Sequence, residues 1–169
     1  MARLLPALLL TVALSLGTSV PAAAGDGVGV FHDRVTKRDP ADDVKGDSSR
    51  PVDIRKVLYD HYRTGDHERL VITVRSAQRI SSRVTFRWHL GTTGDFVTLV
   101  WDVGGDVTVI RDGDKSSSRG AKRSVDGRVA TLTIPWARLG SPRTITNLSL
   151  LAEYAPDGLD IVGTGRNLR

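Results

Sequence analysis

The chain contains no cysteine, and its single methionine is Met1. Without cysteine there is no disulfide staple, no thiol nucleophile, no thiolate metal site and no lipid attachment point. Stability must then come from packing, rigid loops or a bound ion. Aromatics are also scarce: three Trp, three Tyr and three Phe, a small stock for stacking ligands on rings. Catalytic signatures are missing. There is no G-x-S-x-G elbow and no H-E-x-x-H, and His32, His61, His67 and His89 share no ligand spacing. Gly163 and Gly165 follow no strand–helix unit, so no dinucleotide loop is implied. Asp66-His67-Glu68 reads as a solvated charge cluster in a turn. No basic run is interleaved with aromatics and no zinc-finger spacing occurs, so nucleic acid is not an expected partner. The chain reads as a protein that is not an enzyme.

A long apolar run occurs only at the start. Arg3 precedes Leu4 to Val20, and Ala22-Ala23-Ala24 supplies a small-residue cleavage pattern. This predicts export, with residues 1–24 a cleaved signal peptide and residues 25–169 a single secreted, extracellular domain. No second stretch is long enough to span a bilayer. A chain of this size buries about 70% of its extended surface, enough for one core. The formal net charge is +5, carried mainly by arginine. Such a balance permits attraction to nucleic acid, anionic envelope polymers or acidic lipids, and it is equally that of a soluble protein that happens to be basic.

What is present is alternation. Leu70, Ile72 and Val74 share one face, opposed by Arg69, Thr73 and Arg75, and Val84, Phe86, Trp88 and Leu90 share another, opposed by Arg83, Thr85, Arg87 and His89. Period two with β-branched and aromatic residues predicts half-buried strands. The segment 52–62 is β-leaning but changes parity between Ile54 and Val57, which predicts a bulge near Arg55-Lys56. Phe96 to Val103 is apolar on both parities, as a central strand covered on each side would be. Gly104-Gly105 and Asp126-Gly127 are hairpin turns, and Asp112 to Gly120 reads as a polar, mobile loop. Pro135 ends a strand before a single helical turn, Trp136 to Leu139, closed by Gly140. Some nine or ten strands, each followed by a turn signal, predict an all-β antiparallel β-sandwich.

The richest candidate site is the stretch 39–54, which places Asp39, Asp42, Asp43, Asp47 and Asp53 close together. Two readings stand. Clustered carboxylates suit a hard cation such as calcium, with Asp39, Asp42, Asp43 and Asp53 as metal ligands and Asp157 or Asp160 as a distant contributor. Alternatively the carboxylates cap backbone amides and pair with Arg50, Arg55 or Lys45.

The pattern D-P-x-D-D-x-x-G (Asp39, Pro40, Asp42, Asp43, Gly46), then Asp53-Ile54 and a late I-P-W-x-x-L-G over 134–140, resembles the exported DOMON-like β-sandwich domains. These are similar to family-nine carbohydrate-binding modules and to the C-terminal domain of glucodextranases. The resemblance implies a jelly-roll-like sandwich, an ion near the acidic loop, and a role in binding sugars or anchoring to a surface. This chain departs from it in its few aromatics. Haem-binding relatives need an axial Met, and Met1 leaves with the signal peptide.

For a sugar platform, alternation commits Phe86, Trp88 and Phe96 to the core. That leaves Tyr59, Tyr62, Trp101, Trp136 and Tyr154, of which Tyr59, Tyr62 and Trp136 are the ligand-binding candidates, with core packing the alternative for Trp136 as for Trp101. A second candidate surface is a cationic panel of Arg69, Arg75, Arg83 and Arg87 with His89, which forms if their two strands pair directly; the alternative is a solvated outer face. The expectation is a secreted, non-catalytic binding domain for carbohydrate or an anionic cell-surface polymer. Its rivals are an extracellular hydrolase acting on envelope polymer and a protein-interaction module using the arginine face.

Overall fold

The computed structural model describes residues 30–38, 53–92, 95–154 and 158–162. Among the described residues eleven strands form two antiparallel sheets packed face to face, the all-β sandwich that the alternation predicts. One sheet contains β1 (Val30–Arg38), β2 (Ile54–Thr64), β3 (His67–Ser76), β9 (Val129–Pro135) and β8 (Lys122–Asp126), in that spatial order. The other runs β11 (Gly158–Val162), β10 (Ile145–Tyr154), β4 (Val84–Thr92), β5 (Asp95–Asp102), β6 (Val107–Arg111) and β7 (Asp114–Ser117). The strand β7 falls inside the stretch expected to be a loop. Its D-K-S-S sequence is exposed at every position, so no apolar alternation announces it.

Parity decides what each strand buries. The ladder between β2 and β3 shifts register between Ile54 and Lys56, the bulge expected there. It turns Ile54 and Val57 to the same side, and both are fully buried. The inward faces of β3 and β4 are those expected: Leu70, Ile72 and Val74 face Val84, Phe86, Trp88 and Leu90 across the core. Burying each such side chain contributes about 1.5–3 kcal/mol. Phe86, Trp88 and Trp101 pack as an aromatic trio with centroids 5.5 to 6.5 Å apart. Tyr59 OH, Trp88 Nε1 and Trp101 Nε1 are buried with no hydrogen-bond partner among the described residues.

Two expectations are corrected. Phe96 is not a core residue. On β5 the inward positions are Val97, Leu99 and Trp101, so Phe96 points outward and is 66% exposed. Val100 shares that outer face and is only half-buried, so β5 is not covered on both sides. Nor do β3 and β4 pair. The chain crosses between sheets over residues 77–83, and β3 pairs instead with β2 and β9, while β4 pairs with β5 and β10. Arg69 and Arg75 therefore lie on one outer face, with Arg83 and Arg87 on the side of the opposite sheet, and no single arginine panel forms.

Each sheet ends, on the same flank, in a strand exposed throughout: β7 in one, β8 in the other. Across that flank Arg123 Nη2 of β8 meets Asp106 Oδ1 of the β5–β6 turn at 2.9 Å. No helix among the described residues is long and apolar enough to cross a membrane.

Candidate functional site

One end of the sandwich gathers the side chains with chemical potential. There Pro135 closes β9, and a single 3-10 turn, Trp136–Leu139, follows. A 3-10 turn repeats every three residues, so Trp136 and Leu139 share a side and both are buried. Gly140 closes the turn at φ 83°, with its N–H donating to Ala137 O at 3.1 Å. Ser141 follows at φ 48°, its N–H reaching Trp136 O at 3.3 Å. A methyl group on Gly140 would come within 2.5 Å of Arg111 Nη1. Arg111 thus packs against this closure, while its Nε lies 3.6 Å from Asp95 Oδ2.

Beneath the turn lies His61, the last inward position of β2. Its ring stacks on Trp136 with centroids 3.7 Å apart and planes 11° from parallel. Trp136 Nε1 donates to Pro142 O at 3.0 Å, which fixes the indole. His61 Nε2 and Glu68 Oε1 are 2.9 Å apart. A carboxylate only accepts, so Nε2 carries the proton. Glu68 therefore does not belong to a solvated cluster with Asp66 and His67; it anchors a buried imidazole. The carboxylate orients the imidazole and fixes its tautomer.

Two depressions open beside this dyad. One, about 310 Å³, is lined by His61, Arg63, Trp136, Pro142 and Arg143. The other, about 430 Å³, is lined by Asp66, His67, Arg69, Lys122 and Pro135. Glu68 and Ser141 line both, so the two form one continuous cleft. Four exposed cations (Arg63, Arg69, Lys122, Arg143) surround it against two carboxylates, Asp66 and Glu68. Sequence reading missed Arg63 and Arg143, which carry no motif, and His61. The 57-59-61 parity of β2 already placed His61 inward.

The residues expected to bind ligand are dispersed. Tyr59 is fully buried and Trp136 is 2% exposed, so neither offers a ring face to solvent. Burial alone pushes the Tyr59 phenol far above its ordinary range. Tyr62 is half-buried on the outer face, where Arg69 Cζ lies 5.8 Å from its ring centre. Beside it the Arg34 guanidinium is held above its usual value, chiefly by hydrogen bonding to Asp60, then by that carboxylate's charge. Arg69 joins the cleft, Arg87 Nε pairs with Glu153 Oε2 at 3.1 Å, and Arg75 and Arg83 are exposed elsewhere.

Of the expected metal ligands, Asp39, Asp42 and Asp43 lie outside the described residues, as do Asp157 and the side chain of Asp160. Asp53 is 2% exposed, and its Oδ2 meets Arg55 Nη2 at 2.6 Å. Among the described residues no group of three acidic, histidine or cysteine side chains is placed to hold a metal.

The fold and cleft define a β-sandwich with a cationic groove at one end. No family model, curated protein or solved structure matches the chain.

Proposed function

We propose that this chain is an exported, non-catalytic binding domain that holds an anionic surface polymer, such as an acidic glycan or a phosphate-bearing envelope polymer, in the cleft beside Trp136. The observation that carries the reading is the convergence of Arg63, Arg69, Lys122 and Arg143 around two depressions joined at Glu68 and Ser141. A concave site with an excess of one sign of charge, here four cations against Asp66 and Glu68, concentrates counter-charged ligand and speeds its capture. The excess of basic residues over the whole chain, +5, acts in the same direction. Export is supported by the pattern of residues 1–24. The arginine-face alternative lacks its panel, because β3 and β4 lie in different sheets.

Polygalacturonate, heparin and polyglycerol phosphate are suitable probes. Binding to at least one of them should weaken steeply as salt rises, because screening shortens the reach of exposed charges. The Arg63→Glu/Arg143→Glu double variant should bind about tenfold or more weakly at low salt. Affinity indifferent to salt, or unchanged in that variant, overturns the proposal.

A further inference from the structure

We propose that the anionic polymer held in the cleft continues over the outer face of the five-stranded sheet, where Arg38, Lys56 and Arg75 form a second anion-binding row, an inference that rests on anion binding in the cleft.

Strand register sets the row. Arg38 of β1 stands opposite Lys56 of β2, and Lys56 stands opposite Arg75 of β3. The inward parity of these strands belongs to Val35, Val57 and Val74, all buried, so the three cations share the outer face. Adjacent strands lie about 4.8 Å apart, which puts the three positive charges side by side. None of the three forms an ion pair with another described residue. The one carboxylate in the same row, Asp126 of β8, lies beyond Val129 of β9, two strand spacings or about 9.5 Å from Arg75.

Like charges directly opposite one another destabilise a sheet. Protection of a free edge accounts for a cation on β1, a border strand. It does not account for Lys56 and Arg75, because β2 and β3 are interior strands. On other strand faces cations meet carboxylates: Arg34 meets Asp60, Arg87 meets Glu153 and Arg123 meets Asp106. The row at Arg38, Lys56 and Arg75 has no such offset within the described sheet, and an anionic ligand supplies it.

The row is also continuous with the cleft. Lys122 and Thr133, which line the larger depression, are neighbours across β8 and β9 on this same face. The next outward row places Ser124, Thr131 and Thr73 in register, hydroxyls that both donate and accept. Arg75 follows two residues beyond Thr73. Two residues of strand span about 7 Å, so about 14 Å separates the Lys122 row from the Arg75 row. Cations at both ends with hydroxyls between them suit a polyanion whose charges repeat along its length. Guanidinium forks match carboxylate and phosphate oxygens alike. A bilayer fits this face less well. Its apolar side chains Leu58, Val71 and Val129 are half-buried, so none stands out to enter a hydrocarbon layer.

The test is calorimetric titration with polygalacturonate and polyglycerol phosphate, each as a dimer of its repeat unit and as a long chain. Arg38→Gln/Lys56→Gln/Arg75→Gln should weaken the long chain about tenfold, because a linked second contact is lost. The same variant should bind the dimers as the wild type does, which also controls for folding. Its melting temperature should hold or rise, since repulsion within the row is relieved. Lys56→Arg, which keeps the charge, should bind like the wild type. Arg63→Glu/Arg143→Glu should weaken dimers and long chains together, so a failure of the cleft is read separately from a failure of the row. The proposal is overturned if the triple variant binds long chains as the wild type does, or loses the dimers as well. A triple variant that melts lower and binds unchanged would assign the row to the chain's own aspartates, and overturns it. Capture by phosphatidylglycerol vesicles that outcompetes the long chain and vanishes in the triple variant would make the partner a membrane, and overturns it too.

Discussion

His61 lies flat on Trp136, the two rings 3.7 Å apart at their centres, and this contact joins the five-stranded sheet to the segment that crosses to the other sheet. Trp136→Ala removes a buried indole together with the surface on which His61 rests, and should cost about 3–5 kcal/mol. Trp136→Phe keeps a ring but loses the Nε1 donor to Pro142 O, and should cost less. Chemical denaturation of both variants checks the order. Equal losses would mean that the stack contributes nothing beyond the Pro142 hydrogen bond.

Tyr59→Phe should stabilise the protein. The phenol is desolvated with no partner among the described residues, a burden of about 1–3 kcal/mol that phenylalanine does not carry. The same group gives alkaline sensitivity. Its folded-state value is raised above the ordinary value near 10, so the unfolded chain ionises first. Stability present below pH 10 is then lost as pH rises, by about 1.4 kcal/mol per pH unit for this one group. Denaturation midpoints between pH 9 and 11 should fall less steeply in Tyr59→Phe than in the wild type; parallel curves would contradict the assignment.

Gly140→Ala imposes a left-handed conformation on a residue with a Cβ, at about 1–2 kcal/mol, and drives that Cβ against Arg111. The two costs separate in a double-mutant cycle. In an Arg111→Ala background the contact term should vanish and the conformational term should remain, so the substitutions should not add. Strict additivity would show that Arg111 moves aside freely.

Calcium is tested by a pair of melting curves, one in calcium and one in chelator. On the expectation for the acidic loop, calcium raises the melting temperature and Asp42→Ala abolishes the rise. Asp53→Ala should be destabilising by about 1.5–3 kcal/mol in both conditions, because it removes the buried carboxylate that Arg55 meets at 2.6 Å. A loss seen only in calcium would place Asp53 in the ligand set.

Much of the fold was legible in alternation, and the misses share a cause. The inward faces of β3 and β4 follow from parity, a local property. Pairing is not local: β3 selects β9, far along the chain, and nothing in residues 67–92 announces it. Phe96 was misassigned because F-V-T-L-V-W is apolar on both parities, so periodicity offers two answers and only the seating of Trp101 in the core decides. The cleft was the least legible part. Arg63 and Arg143 come from segments distant in sequence, and charge alone does not say which arginines meet.

Sheets that end in fully exposed strands invite another chain to add to them, the usual route to runaway association. Here Asp114 and Lys115 on one border and Lys122, Arg123 and Asp126 on the other put charge on both strands, which disfavours the addition of a further strand. The Arg123–Asp106 contact also clasps one border to the opposite layer. The flank that lacks apolar cover is thereby the one that charged side chains and a clasp between the layers protect.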